Sequence, residues 1–279
     1  MTLTKPSLIW LMIKVMEAAF FDLDKTVIAK ASMLAFGPPF YKEGMISRRT
    51  AIRTAYAQLI YRHLGANDRK LAMLRETVLA ITKGWDQNRV TQIVTHTLSE
   101  IVEPLIYQEA LELMEYHRNQ GRLIYLVSAS PIEILTPLGE YLDVDGVIGS
   151  KSKIDHEGRY TGEMEFYCYG PYKVEAMFEL AKNEGLSLKD SYAYSDSYTD
   201  IPMLEAVGHP IAVNPDRVLS KRAKEKGWEI LTFSKPVRIK DRKRSSKAQT
   251  TVAASAAALA VAGLATGAVV RKQRNHSKS

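Results

Sequence analysis

The sequence predicts an α/β fold: a parallel sheet covered on both faces by helices, with a helical insertion near its start. Three observations carry this. Apolar runs at 18–21, 123–127, 192–194 and 211–213 have the length and character of fully buried strands. Amphipathic stretches of helical period alternate with them, as parallel strands joined by crossover helices require. Residues 28 to 103, between the first two runs, show helical spacing and no comparable strand.

Taken in order, Ala18–Phe21 (AAFF) reads as a buried strand that stops at Asp22. Gly44–Leu64 places Ile52, Tyr56, Leu59, Ile60 and Leu64 near a 3.6-residue period, and Arg69–Lys83 and Gln87–Ile101 are two further helices. Leu105–Asn119 reads as a helix after the break at Glu103-Pro104, stopped by Gly121. Leu123–Val127 (LIYLV) is a second core strand, and Val147–Ile154 and Tyr160–Phe166 flank a DHEGR turn as a hairpin. Lys173–Asn183 is a helix with Val174, Met177, Phe178 and Ala181 on one face and Gly185 as its stop. Tyr192–Tyr194 is a third core strand. A short helix lies between Asp200 and Gly208, with Pro202 in its first turn, and Ile211–Val213 is a further strand.

The bulk composition is that of a globular protein, with 46% apolar and 25% charged residues. A single cysteine, Cys168, excludes an intramolecular disulfide and reads as a small buried hydrophobe. The six histidines have no zinc-ligand spacing. The net charge of +7 is unevenly placed: from Arg217 onward there are 16 Lys/Arg against 3 Asp/Glu, so the rest of the chain is acidic. The basic character therefore concerns what the tail meets, an anionic membrane surface before nucleic acid. No nucleic-acid partner is expected, because the basic runs lack interleaved aromatics.

Four polar clusters sit at strand ends or helix starts: Asp22-Leu23-Asp24-Lys25-Thr26, Ser128, Lys173 after Gly-Pro-Tyr, and Asp196-Ser-Tyr-Thr-Asp200. Singly, each has an ordinary explanation: Asp-x-Asp occurs in turns, Ser128 is a strand-end hydroxyl, Lys173 a solvated lysine, and Asp200 a helix cap. Together they suit phosphoryl transfer, because the carboxyl ends of parallel strands are where such folds bind ligands. A phosphate dianion repels a carboxylate nucleophile, so the site needs hard oxygen ligands for a divalent cation and a lysine. Asp22 and Asp196 can ligate magnesium from neighbouring strands. Asp24, two residues on, returns to the same side and can move a proton to the leaving oxygen and from the attacking water. Ser128 and Lys173 can hold phosphate oxygens.

FFDLDKTV, VSAS, GPYK and YSDSYTDIPML resemble the four motifs of the haloacid-dehalogenase superfamily, closest to its subfamily IB, phosphoserine-phosphatase-like branch, over about Ala18 to Pro236. The resemblance implies a Rossmann-like core with an inserted helical cap and Mg²⁺ as cofactor. It implies Asp22 as nucleophile and Asp24 as acid/base. Ser128 and Lys173 bind phosphate. Asp22, the Asp24 carbonyl and Asp196 hold the metal, with Asp200 supporting them. Three positions depart from the branch: Ala31 stands where a Glu is usual, Ala129 and Ser130 where two glycines are, and Thr199 where an Asn is. The first two argue against phosphoserine as the substrate.

The expected organisation is an N-terminal extension (1–17), a catalytic core (18–30 and 104–236), a cap (31–103), a basic linker (237–250), a membrane helix (251–270) and a basic tail (271–279). Cap residues Arg48, Arg49 and Arg53 are candidates for an anionic part of the substrate. Ser7–Val15 is too short, and too close to the first strand, for a signal peptide, so the catalytic part is expected in the cytoplasm. The uncharged run 248–270 is long enough as a helix, about 34 Å against roughly 30 Å of hydrocarbon, but alanine-rich. It carries Gly263 and Gly267 in helix-packing spacing. The expected activity is Mg-dependent hydrolysis of a small phosphorylated metabolite through an aspartyl-phosphate. The alternatives are a phosphoserine phosphatase proper, a lipid-phosphate phosphatase at the membrane, and a membrane-associated binding protein with a degenerate site.

Overall fold

The computed structural model describes residues 16–48 and 68–234. The first strand, β1 (Ala18–Phe21), leads into two short helices, α1 (Ser32–Ala35) and α2 (Gly37–Lys42). Helices α3 (Asp68–Thr82) and α4 (Gln87–Ile101) follow, then a 3₁₀ turn at Glu103–Leu105 and α5 (Gln108–Asn119). Next come β2 (Leu123–Pro131), α6 (Ile132–Leu142), and the hairpin β3 (Gly146–Ile154) with β4 (Tyr160–Phe166). The chain continues through α7 (Pro171–Glu184), β5 (Tyr192–Ser195), α8 (Ile201–Glu205), β6 (His209–Val213), α9 (Arg217–Lys226) and β7 (Glu229–Leu231).

The seven strands form one sheet in the order β4-β3-β2-β1-β5-β6-β7, parallel except for the β3–β4 hairpin. All four residues of β1 are buried, as a central strand covered on both faces demands. On one side Phe20 stacks on Tyr125 among Val127, Met177, Ala193 and Met203. Register decides where the chemistry falls. Phe21 lies opposite Leu126 of β2 and Tyr194 of β5, so Asp22 emerges beside the strand ends that lead into Ser128 and Asp196.

The long insertion closes at its base. Ala29 donates to the Leu105 carbonyl at 2.8 Å and Tyr107 to that of Val27 at 2.9 Å. At its far side the turn before α4 joins the hairpin: Gly84 donates to the Tyr160 carbonyl and Gln87 to that of Gly158, while Tyr160 donates back to Trp85. Asp86 caps α4 by accepting from Arg89 N–H at 2.8 Å.

Several expectations need correction. The helix expected from Leu105 begins at Gln108, because Ile106 is extended and its segment bridges Ile28. The LIYLV strand runs on to Pro131, carrying Ser128 and Ser130 within it. Phe178, expected on the buried face of its helix, is 55% exposed, whereas Lys173, Met177 and Ala181 point inward. The lysine, not a phenylalanine, completes the i, i+4, i+8 stripe. Helix α6 was not anticipated because it contains Pro137 and Gly139, both poor helix formers. Packing overrides propensity there: Ile134, Leu135, Leu138 and Leu142 are buried, and a Cβ on Gly139 would lie 2.6 Å from Val147. Helix Gly44–Leu64 lies mostly outside the described residues. So does the whole 237–279 stretch with its linker, membrane helix and basic tail. Among the described residues no helix is long and apolar enough to cross a membrane.

One close approach makes a stability test. A Cβ on Gly208 would stand 1.7 Å from the Lys189 carbonyl oxygen, a backbone atom that cannot swing aside. Gly208→Ala should therefore cost at least about 1–3 kcal/mol of unfolding free energy, read as a lower urea midpoint. An unchanged midpoint would mean the two segments are free to separate.

Candidate active site

Asp22 and Asp24 leave β1 on a tight turn. Thr26, Val27 and Ile28 all return their N–H groups to the Leu23 carbonyl, and Lys25 takes a left-handed conformation with φ 64°. That φ is unusual for a lysine and keeps the loop compact. The Lys25 ammonium, largely exposed, lies 3.8 Å from Asp196 Oδ2.

Lys173 enters from the first turn of α7. Gly170 precedes that helix at φ 55°, a value that favours glycine, and Pro171 opens it. The lysine is 2% exposed and its Nζ donates to Asp22 Oδ1 at 2.6 Å and to Asp200 Oδ2 at 2.7 Å. A solvated lysine is thereby excluded. Asp200 is not the helix cap it resembles: although it occupies the N-cap position of α8, its side chain makes no cap bond. It accepts instead from Lys173 and from Ser195 Oγ, the latter at 2.7 Å.

Burial drives the electrostatics. It raises the Asp22 carboxyl well above its ordinary value, with Lys173 pulling against it and Asp200 and Asp196 adding repulsion. Burial pushes Asp196 up to about 7, opposed by Lys25 and reinforced by Asp200. Asp24 is also raised by burial, and hydrogen bonds from Ser32 oppose the rise. Burial works against a charged Lys173, but Asp200 and Asp22 outweigh it and hold the ammonium protonated.

Among the described residues, Asp22, Asp24, Asp196 and Asp200 thus face only Lys173 and Lys25, which leaves a deficit of positive charge there. No group of three or more His, Cys, Asp or Glu side chains among the described residues is arranged to hold a metal. Two buried carboxylates on adjacent strand ends, with a main-chain carbonyl at Asp24, make an all-oxygen set. That set and the charge deficit fit a hard divalent cation completed by water.

Ser128 is 2% exposed within β2, and its Oγ accepts from Ser130 N–H at 3.1 Å. The structure thus brings Asp22, Lys173 and Asp200 into direct contact and places Asp24, Ser128 and Asp196 around them. Of the cap arginines, Arg48 is exposed, and Arg49 and Arg53 lie outside the described residues. Cys168 is buried, its thiol pushed up to about 12 chiefly by that burial.

Sequence reasoning missed three supporting residues. Ser195 holds Asp200. Asp216 accepts from Tyr198 N–H at 2.7 Å and donates its own N–H to the Asp196 carbonyl at 2.8 Å, fixing the loop between Asp196 and Asp200. Its position before α9, capping Leu219, was the available signal. Ser32 binds Asp24 through its N–H at 2.8 Å, and nothing in its local sequence marks it.

The family model of haloacid dehalogenase-like hydrolases matches residues 19–205. A Streptomyces azureus protein named for inhibition of morphological differentiation is 48% identical over 252 residues, spanning 88% of this chain and 91% of its own. A probable phosphatase of Mycobacterium tuberculosis is 45% identical over 252 residues, 90% of this chain and 87% of its own. Among solved structures, a phosphoserine phosphatase with an analogue of its phospho-aspartyl intermediate shares the fold. Its TM-score is 0.57 at 19% identity, over 80% of this chain and 95% of that one. Fold, clustered motifs and relatives agree: the chain belongs to the haloacid dehalogenase-like hydrolases and is a phosphatase with a phosphoserine-phosphatase-like architecture.

Proposed function

We propose that the chain hydrolyses small phosphate monoesters in a Mg²⁺-dependent reaction through a phosphorylated Asp22. The observation that carries this is Lys173, buried between Asp22 and Asp200, with Asp24 two residues along the same strand end. Asp22 attacks phosphorus while the bond to the ester oxygen breaks, and Asp24 gives that oxygen a proton. Asp24 then takes a proton from water, whose oxygen attacks the phosphoenzyme and releases Asp22 and inorganic phosphate. Ser128 and Lys173 bind phosphate oxygens, and Asp200 keeps Lys173 aimed. When bound at Asp22, Asp196 and the Asp24 carbonyl, magnesium supplies the positive charge that lets a carboxylate approach a phosphate dianion. The described helices α1 to α4 serve as part of a cap that screens this chemistry from water.

Hydrolysis of an aryl phosphate with and without magnesium tests this reading, and activity unaffected by a chelator would sink it. Metal binding should also be pH-dependent. Because Asp196 titrates near 7 in the folded protein, it is mostly protonated below that pH and must lose the proton to bind a cation. A folded-state pKa above the ordinary value also means that the Asp196 contribution to metal-free stability is fully present below 3.8 and is lost as pH rises through about 7. Magnesium should therefore raise the melting temperature strongly at pH 8 and little at pH 5. Equal shifts at both would contradict the assignment of Asp196.

Substrate choice follows from Ala31. No carboxylate stands there to meet an ammonium, and the buried Glu133 already accepts from Gln87 Nε2 at 2.9 Å. Burying an unpaired ammonium is costly, so phosphoserine should show a lower kcat/KM than sugar or glycerol phosphates. A panel in which phosphoserine comes out best would refute the argument.

A further inference from the structure

Two buried hydroxyls that this chemistry does not use lie in line with its acid/base. Ser32, at the start of α1, is 0% exposed, and Ser130, near the end of β2, is 4% exposed. The Ser32 N–H donates to Asp24 Oδ1 at 2.8 Å. The Ser32 hydroxyl bonds Ser130 Oγ at 2.7 Å, and Ser130 N–H in turn donates to Ser128 Oγ at 3.1 Å. Segments 98 residues apart in sequence are thereby tied between the phosphate-binding serine and Asp24.

The Ser32 hydroxyl, paired with Ser130 Oγ, fixes the start of α1, whose N–H holds Asp24 Oδ1. A glycine at 130, usual in the branch this sequence resembles, would leave the Ser32 hydroxyl buried without its partner. We propose that Ser32 and Ser130 are positioning residues that hold the Asp24 carboxyl in the orientation needed to protonate the leaving oxygen. The inference rests on Asp24 being the acid/base.

Orientation matters only where a proton must be delivered. An alkoxide is too basic to leave without one, whereas a nitrophenolate departs unaided. The test compares kcat/KM, which reports the steps through phosphorylation of Asp22, for p-nitrophenyl phosphate and for glycerol 3-phosphate. Ser32→Ala should lower the value for glycerol 3-phosphate by about 10- to 100-fold, with p-nitrophenyl phosphate changed by less than about threefold. Ser130→Ala should show the same split at smaller size, and Ser32→Thr, which keeps a hydroxyl, should recover most of the loss. Equal losses on both substrates, or no loss, overturn the proposal. Asp24→Asn measured alongside separates two failures. If it shows no split, Asp24 is not the acid and the underlying reading fails. If it shows one and the serine variants do not, only the positioning role fails. Should the Ser32 variants not fold, Ser130→Ala alone decides.

Discussion

Asp22→Asn should lower kcat by at least about 10³-fold while leaving the protein folded and no less stable. The amide has nearly the shape of the carboxylate and keeps an oxygen to accept from Lys173 at the position now held by Oδ1, 2.6 Å away. It lacks the electron pair and charge needed to attack phosphorus, and it is a weaker ligand for a hard cation. Stability should move the other way from activity. Burial and the charges of Asp200 and Asp196 raise the Asp22 carboxyl in the folded state, so its ionised form costs free energy at neutral pH. A neutral side chain removes that cost, and Lys173 retains Asp200. Steady-state kinetics and urea unfolding on one preparation check both halves. Turnover within tenfold of wild type would rule out nucleophilic catalysis by Asp22.

Lys173→Met should be the most destabilising change at the site. The methionine fills similar volume, but Asp22 and Asp200, 6% and 2% exposed, lose the cation they share. Stranding buried charge in this way costs about 3–5 kcal/mol at neutral pH. The pH dependence has a definite sign. Without the lysine, the buried Asp22 carboxyl binds a proton more tightly folded than unfolded. Its contribution is then fully present below the ordinary value of 3.8 and lost as pH rises through the higher folded-state value. The gap between variant and wild type should be small near pH 4 and wide at pH 7, by unfolding at a series of pH values. Adding Asp200→Asn should recover part of the loss, since the two sites are in contact. A variant as stable as wild type at pH 7 would show that the pair of carboxylates is neutralised by something else.

Much of the framework was legible without coordinates, and for physical reasons. A strand buried on both faces must be apolar throughout, so AAFF and LIYLV could be read as core strands, with Asp22 where the first of them ends. Helix α4 was bounded correctly at Gln87 and Ile101 because its apolar residues repeat at helical spacing. The glycine at 185 ends α7 as read, at φ 69°. These are signals that short stretches of sequence carry complete.

What sequence alone determined about this protein is therefore the order of β1 to β6 and of α3, α4, α5, α7 and α8 along the chain, and the presence of Asp22, Asp24, Ser128, Lys173, Asp196 and Asp200 in the segments that follow the apolar runs or open the helices. Tertiary structure decided which of those groups touch. Asp200 had the position of a helix cap and became the partner of Lys173 because α7 and β5 bring their ends together around Asp22. Ser32 and Ser130 meet at 2.7 Å only because the first helix of the insertion folds back over the end of β2. Helix α6 exists despite Pro137 because burying Ile134, Leu135, Leu138 and Leu142 outweighs a weak helical propensity. Propensity and periodicity are local quantities, readable from neighbours in sequence. Burial, charge pairing and the direction of a hydroxyl depend on groups brought together from distant segments.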